Sequence, residues 1–322
     1  MSGRQDLLFA LEVDGSGPPG AGTDVAALIG HLSAAEAAGF VLATFDDTPL
    51  PVAGGRIEAG VRAAFAARRT SRIGLAPTLH ATVTEPFHLA TQLASLDHAS
   101  LGRAGWVVGA ANSAAAHATI GGTPLAEPDG LRRELADVIE VARQLWDSWE
   151  DDAVIRDVAT SRFLDSDRVH HINFTGERFS VVGPLITPRP PQGQVVVLGS
   201  DTLGVTENLD IALIAAADLG ELADRAHVAH TAGAPLVFAE VEVRPDEGEP
   251  SGRLRVTGDD ELREVLDRLA GIVDGVRLHP ADLATDLPRI AAAVPIRPPS
   301  GPTLRAALGL ARPANRFAAV AR

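Results

Sequence analysis

The residues of this chain that can do chemistry are carboxylates, imidazoles and hydroxyls, because its 322 residues include neither cysteine nor tyrosine. Without cysteine there is no disulfide, no thiolate metal ligand and no cysteine nucleophile. The histidines do not form a metal motif. His170 and His171 are adjacent and would point to opposite sides of a strand, while His227 and His230 stand three apart without an obvious carboxylate partner. We therefore predict no metal site.

His80 is the candidate for acid–base chemistry. It follows the apolar run from Ile73 to Leu79, which predicts a strand, so its side chain would stand at the carboxyl end of that strand. A neutral imidazole there can act as an acid, a base or a hydrogen-bond donor to a substrate. An ordinary surface histidine in water is the equally weighted alternative. Glu240 and Glu242, two apart in a later β-prone run, indicate a polar strand face and not a catalytic pair.

Eight β-prone runs alternate with segments of helical periodicity, a pattern typical of βα units and a parallel sheet. The predicted strands cover Leu7 to Val13, Phe40 to Phe45, Ile73 to Leu79, Ala104 to Ala110, Val195 to Leu198, Ile211 to Ala215, Leu236 to Val243 and Gly275 to Leu278. The predicted helices cover Asp24 to Ala38, Glu58 to Arg69, Pro86 to Asp97, Leu131 to Trp149, a short turn near Leu203, Gly220 to Ala232, Asp259 to Ala270 and Ala281 to Ala293. Eight such pairs close into a (β/α)8 barrel, so we predict a single TIM-barrel domain over residues 1–322.

Residues 150–194 interrupt the alternation of strands and helices. Within them, Val169 to Phe174 and Phe179 to Val182 flank Gly176 and predict a short hairpin. An insertion of this size between barrel units is typical of a functional lid or a packing arm.

Composition excludes two classes of partner. The formal charge is 28 − 42 = −14 and no cluster of lysine and arginine appears, so nucleic acid is not an expected ligand. Nowhere do 18 uncharged apolar residues run together, which excludes a membrane-spanning helix. The first residues show no export cleavage pattern, and we therefore expect a cytoplasmic protein.

Three passages of the chain are distinctive. They are RIGLAPT at 72–78 with TEPFHLA at 84–90, WDSWEDDA at 146–153 with RPPQG at 189–193, and ARPANRFA at 311–318. Together they resemble the luciferase-like flavin-dependent monooxygenases, in particular the branch that contains nitrilotriacetate and dibenzothiophene-sulfone monooxygenases.

This resemblance implies a TIM barrel that binds reduced FMN supplied by a separate flavin reductase. Such an enzyme uses the flavin to activate O₂ and oxygenates a small organic substrate, while the protein orients the cofactor and excludes water. Whether a deazaflavin replaces FMN stays open, as does the identity of the substrate.

The resemblance also assigns cofactor-binding positions. Thr78 matches the family's small polar residue beside the flavin, and Asp46 matches the position that closes the second strand. For the phosphate, Arg132 stands where the family has a gripping side chain, and Gly199 and Ser200 lie in the turn after the fifth strand. The next residue, Asp201, would repel a phosphate unless a cation intervenes.

Some positions differ from the family pattern. After Trp106 the family has Asn-Val-Val-Thr, whereas this chain has Val107, Val108, Gly109 and Ala110, so an amide and a hydroxyl are missing. These changes support an alternative: a barrel that has lost flavin binding and serves as a binding protein or structural subunit. Under either hypothesis, Trp146 and Trp149 predict apolar surface outside the barrel and hence a homodimer or larger homo-oligomer.

Overall fold

Eight parallel strands form a closed barrel in a computed structural model that describes residues 7–14, 21–125, 127–244, 251–294, 296–298 and 300–318. The barrel strands are β1 (Leu8–Glu12), β2 (Leu42–Phe45), β3 (Gly74–His80), β4 (Gly105–Gly109), β5 (Val196–Ser200), β6 (Ile211–Ile214), β7 (Leu236–Val243) and β8 (Gly275–Pro280). Each pairs with its neighbour in sequence order, and β8 pairs with β1, where Leu8 lies opposite Gly275. The predicted (β/α)8 barrel is confirmed.

Helices cover the outside of the barrel. They are α1 (Val25–Ala38), α2 (Ala59–Ala67), α3 (Pro86–Ser100), α4 (Ala114–Ala118), α5 (Pro128–Asp147), α6 (Leu219–Thr231), α7 (Asp259–Leu269), α8 (Leu283–Ala293) and α9 (Leu304–Ala307). The ends of α1 show why the sequence predicts it: Asp24 caps the first turn by accepting two backbone hydrogen bonds, and Gly39 ends the helix with a φ of 103°. Between β5 and β6 the predicted short helix is a 3-10 turn over Asp201–Leu203.

One predicted helix is shifted and one short strand of the barrel sheet was not predicted. Helix α5, predicted over Leu131 to Trp149, spans Pro128–Asp147, since proline is well tolerated in the first turn of a helix. A short strand, Leu254–Val256, adds to β7 in parallel. The glycine-rich loop at residues 15–20 lies outside the described residues.

The interior of the barrel is apolar toward the amino-terminal ends of the strands. Residues that alternate along the strands point inward. They form one cluster with α9, which lies across the amino-terminal end and inserts Leu304. Gly74, at the start of β3, makes room for this plug, because an added Cβ would come within 2.6 Å of a Leu304 methyl group. The amino-terminal end of the barrel is therefore closed by the chain itself.

The inserted segment after α5 packs at this same closed end. Its two hairpins pair Val154–Asp157 with Arg162–Leu164, and Phe174–Thr175 with Ser180–Val181; the second is the hairpin predicted around Gly176. The Gln192 side chain donates a 2.7 Å hydrogen bond to the Ala104 carbonyl, just before β4. Residues 150–194 therefore include a packing arm for the lower end of the barrel.

The C-terminal segment is tied to this arm by ion pairs and hydrogen bonds. Arg189 bonds Asp147 at 2.8 Å and Asp151 at 2.9 Å, and Arg312 bonds Asp151 at 2.8 Å. Asn315 donates hydrogen bonds to the carbonyls of Asp147 and Trp149, at 2.8 Å each. The WDSWEDDA, RPPQG and ARPANRFA motifs thus meet in one place, at the end of the barrel opposite its mouth.

The two tryptophans of this region pack within the chain. Trp146 is fully buried and its indole N–H donates to the Ala90 carbonyl at 3.0 Å. Trp149 is half-buried and donates to the Leu185 carbonyl at 2.9 Å. Trp146 therefore packs against α3 and Trp149 lies partly against the arm, so the expectation that they supply free apolar surface was wrong, while the homo-oligomer itself stays a prediction.

Leu304→Ala tests the plug at the closed end. Leu304 is 1% exposed, so we expect the substitution to lower the free energy of unfolding by about 2–5 kcal/mol through lost burial and a residual cavity. Urea denaturation measures this change. Val228→Ala is the matched control, since Val228 on α6 is 65% exposed and should change stability by about 0.5 kcal/mol or less. Equal stability of the two variants would show that α9 does not hold the barrel closed.

Candidate functional site at the barrel mouth

A cavity of about 330 Å³ opens at the carboxyl-terminal end of the barrel, here called the mouth. Active sites of TIM barrels lie at this end. Residues at or just beyond the ends of β1, β2, β3, β4, β7 and β8 contribute to the wall, together with two arginines from loops. The lining residues are Glu12, Asp14, Asp46, Arg56, Thr78, Val107, Glu242, Arg253, Arg277, His279, Pro280 and Ala281.

At the floor of the cavity, β1, β7, β8 and a loop arginine place charged side chains inside the barrel. We call Glu12, Glu240, Arg253, Arg277 and His279 the ionic layer. Arg277 on β8 bonds Glu240 on β7, its direct neighbour in the strand register, and lies 3.8 Å from Glu12 on β1. Arg253 donates a second hydrogen bond to Glu240 at 3.1 Å. Burial raises the pKa of Glu240, but Arg277, His279 and Arg253 together outweigh it and hold that pKa well below its usual value.

For Glu12, the effect of burial on the pKa outweighs that of the nearby positive charge. Burial is the largest influence and raises its pKa from 4.5 to about 7, with Arg277 lowering it and Asp14 raising it further. One carboxylate oxygen accepts from the Thr44 hydroxyl at 2.7 Å and the other from the Asp14 backbone N–H at 3.1 Å. Glu12 thus changes its charge near neutral pH at the floor of the cavity.

His279 completes the ionic layer as a neutral imidazole. Burial lowers its pKa from 6.5 to about 4, despite the nearby Glu240 carboxylate. Its Nε2 atom lies 3.6 Å from Glu240, which is too far for a hydrogen bond, and has no other partner within the described residues.

The rim above β1 and β2 is a second set of ion pairs. Arg62, buried on α2, bonds both carboxylate oxygens of Asp14 and donates to the Asp46 carbonyl at 2.8 Å. The Asp46 carboxylate is exposed and lies 3.5 Å from Arg56. At the β7 side, Glu242 accepts from Ser251 at 2.8 Å and pairs with Arg255 at 3.1 Å. Most charges of the mouth are therefore matched by partners from the same chain.

Two of the predicted cofactor-binding residues line the cavity, and three do not. Thr78 and Asp46 both belong to its wall. Arg132 is exposed, packs on Gly204 and lies 3.7 Å from Asp129. The Ser200 hydroxyl is bonded to that of Thr202 at 2.8 Å, and Gly199 makes room for the side chains of Leu203 and Leu209.

The acidic residue that follows Ser200 is already paired with an arginine of this chain. Asp201 accepts two hydrogen bonds from Arg225, at 2.7 and 2.9 Å. The cation that a phosphate there would require is therefore present, but the Asp201 carboxylate already binds it.

His80 is held in place by the backbone. Its Nε2 lies 3.0 Å from the Asp47 carbonyl and its Nδ1 accepts from the Ala111 N–H at 3.2 Å, so the proton must be on Nε2. The ring also fills the space beside Gly109 on β4, where any added Cβ would overlap it. Both nitrogens are thus engaged, and a role in acid–base chemistry stays a prediction.

Sequence reasoning missed the ionic layer apart from its glutamate on β7. A signal was present, because Arg277 and His279 stand two apart in an otherwise apolar run, as do Glu240 and Glu242. What the sequence does not show is that these two runs are neighbours in register. Within the described residues, no three histidine or acidic side chains are arranged to hold a metal ion.

Glu12→Gln tests the buried carboxyl. Because the pKa of Glu12 is higher in the folded chain than the ordinary 4.5, the folded state binds more protons between pH 4.5 and about 7. Its contribution to stability is therefore complete below pH 4.5 and is lost as pH rises through 7. We expect Glu12→Gln to gain stability relative to the unmodified chain from pH 5 to 8, by up to about 3 kcal/mol.

Urea denaturation of both proteins across this pH range measures the difference. Two other groups have shifted pKa values, namely Asp97 at about 6 and His279 at about 4. Both proteins contain them, so their effects on stability cancel in the difference. Glu264→Gln, at an exposed position of α7, is the control and should show no such trend. A difference that does not vary with pH would mean that Glu12 titrates normally.

Comparisons with known proteins agree with the fold. The model of the luciferase-like monooxygenase family matches residues 7–235. The described part of the chain contains no helix long and apolar enough to cross a membrane. Among solved structures, DmoA from Hyphomicrobium sulfonivorans superposes with a TM-score of 0.80 at 18% identity, covering 94% of this chain and 92% of that one.

Two curated relatives differ in how much of them the chain matches. A subunit of the pristinamycin IIA synthase of Streptomyces pristinaespiralis is 34% identical over 295 residues, which is 88% of this chain and 89% of that protein. N-acetyl-S-(2-succino)cysteine monooxygenase of Bacillus subtilis (strain 168) is 43% identical over 138 residues, but the match spans only 31% of its length.

The branch expected from the motifs is also represented. Nitrilotriacetate monooxygenase component A of Aminobacter aminovorans is 45% identical over 130 residues, 40% of this chain and 28% of that protein. Dibenzothiophene-sulfone monooxygenase of Rhodococcus erythropolis is 39% identical over 130 residues, with the same two coverages. The family match over residues 7–235 and the 34% identity over most of the chain lead to one conclusion: the chain belongs to the luciferase-like monooxygenase family.

Proposed function

We propose that this chain is a subunit of an FMN-dependent monooxygenase, which oxygenates a small organic substrate with reduced flavin and O₂. The observation that carries this proposal is the similarity to the pristinamycin IIA synthase subunit along nearly the whole of both chains. That relative is, by its name, one subunit of a larger synthase. The shorter matches to named monooxygenases support the same reaction class.

Reduced FMN would supply the electrons that activate O₂, which no side chain of this protein can do. A structure related in fold, the oxygenating constituent of 3,6-diketocamphane monooxygenase, is in complex with FMN and has a TM-score of 0.54 to this chain. Nitrilotriacetate monooxygenase component A is by its name one component of its enzyme. A separate flavin reductase as partner and a small-molecule substrate follow as parts of the proposal. A homo-oligomer and a cytoplasmic location stay predictions.

The proposed reaction is tested without knowing the substrate. The chain is isolated from its source cells with an affinity tag, under conditions that keep its partners bound. The preparation is mixed with reduced FMN and then with O₂, and the visible absorbance of the flavin follows its reoxidation. Because a monooxygenase binds reduced flavin and controls its contact with O₂, we expect the rate to differ from that of free FMN.

The same experiment includes isotopically labelled O₂ and a small-molecule extract of the source cells. Mass spectrometry then reveals any labelled product that forms only with NADH and a flavin reductase present. A mock preparation from cells without the tagged chain is the control. Free-flavin kinetics together with the absence of labelled product would contradict the proposed function.

A further inference from the structure

We infer that the barrel of this chain does not itself hold the flavin, because the ionic layer and His80 leave no suitable place for it in the mouth, and that a different chain of the proposed enzyme carries the cofactor. This inference rests on the proposed function, since it says where in the proposed enzyme the flavin resides. It follows from four features of the mouth.

The first feature is the chemistry of the cavity wall. Eight of its twelve lining residues are ionisable, and only Val107, Pro280 and Ala281 are apolar. Sites for flat organic ligands are mostly apolar, with a few polar groups that orient the ligand. A three-ring flavin placed here would remove water from carboxylates and guanidinium groups without offering them equivalent partners. The wall is that of a polar cavity.

The second feature is that the arginines of the wall are already paired with carboxylates of this chain. A flavin presents hydrogen-bond acceptors along one ring edge, so arginines are suitable partners in principle. However, Arg277 bonds Glu240, Arg253 bonds the same carboxylate at 3.1 Å, and Arg56 lies 3.5 Å from Asp46. A guanidinium group can donate to more than one partner, but a flavin that drew Arg277 or Arg253 away from Glu240 would leave that buried charge uncompensated.

The third feature is the charge that a flavin would meet. FMN carries about −1.5 to −2 on its phosphate at neutral pH. Asp14, Asp46 and Glu242 line the cavity together with Arg56, Arg253 and Arg277, and Glu12 adds an anion above pH 7, so the wall offers a phosphate no excess of positive charge. Arg132, the predicted phosphate partner, is not part of the wall. The described residues thus do not form an anion site connected to the cavity.

The fourth feature lies on the β3–β4 side of the mouth. The ring of His80 fills the space above Gly109 and is fixed by the Asp47 carbonyl and the Ala111 N–H. The neighbouring Val107 offers a methyl surface without a donor. The positions where the family pattern has an amide and a hydroxyl therefore present no free hydrogen-bonding group. We conclude that the residues present do not fit FMN.

The partner must be a different chain. A second copy of this chain would bring the same ionic layer and the same locked histidine, so a homodimer would still lack a flavin site. The relative that matches over most of its length is a subunit of a synthase, which agrees with a two-chain enzyme. The chemistry required of the partner is a site with apolar walls and unpaired hydrogen-bond donors.

FMN titration of the purified, full-length chain tests this inference. Quenching of flavin fluorescence measures binding of oxidised FMN, and anaerobic calorimetry measures binding of reduced FMN. We expect no saturable binding of either form below about 1 mM, the range of non-specific association. A dissociation constant of about 100 µM or below would overturn the inference.

Two variants locate any binding that does appear. Thr78→Ala removes a hydroxyl from the cavity wall, and Arg132→Ala removes the predicted phosphate partner. A weak, non-specific association should be unchanged in both. A dissociation constant that rises about tenfold in either variant would place the flavin in this barrel and contradict us.

The tagged complex from source cells separates this inference from the proposed function. Flavin bound by the complex but not by the isolated chain supports both. Flavin bound by the isolated chain overturns the inference and leaves the proposed function standing. If the complex binds no flavin and forms no labelled product, the proposed function fails and so does the inference of a flavin-carrying partner, and only the exclusion of FMN from this mouth is supported.

Discussion

The mouth of this barrel depends on one buried cation. Arg277 projects from β8 into the interior and bonds Glu240 on the adjacent strand, while Glu12 on β1 lies 3.8 Å from it. Moving a guanidinium group into the interior is costly, and the cost is offset only when its partners stay in place. Removing one partner of such a pair typically costs about 3–5 kcal/mol, because the remaining charge is left buried alone. These ion pairs therefore link the strands β1, β7 and β8 inside the barrel. The same charged side chains make the cavity polar.

The residues at the two ends of the barrel indicate different properties of the protein. The motifs that resemble the family, WDSWEDDA, RPPQG and ARPANRFA, meet around Asp147, Arg189 and Asn315 at the closed end. Features at that end of a TIM barrel serve stability, whereas the opposite end carries chemistry. These motifs consequently identify the scaffold with high specificity. Only the RIGLAPT motif, which ends at Thr78, reaches the mouth, whose side chains otherwise differ from the family pattern at β4 and are ionic at β1, β7 and β8.

The sequence predicted the scaffold well because strand and helix signals are local. All eight barrel strands were located within two residues of their observed ends, and β7 was found with its exact bounds. Periodicity alone also placed Glu240 and Glu242 on one face of that strand. The sequence could not show that Glu240 lies opposite Arg277, since the pairing of β7 with β8 is set by closure of the barrel. It also missed α9, a four-residue helix whose role as a plug depends on tertiary contact with Gly74.

The same limit explains why the candidate site was predicted only in part. Asp46 and Thr78 lie at the ends of β-prone runs, so their position at the mouth could be inferred from those strands, and both line the cavity. The roles of His80 and Arg132 depend on what surrounds them. His80 is fixed by Asp47 and Ala111, which come from two other βα connections, and Arg132 lies against Gly204. The end of a strand determines where a side chain lies. Residues from other loops determine whether that side chain is free to bind a ligand. In this barrel those partners come from the chain itself. The chain therefore keeps side chains at the places where a ligand site would form, but most of their hydrogen bonds are made within the fold.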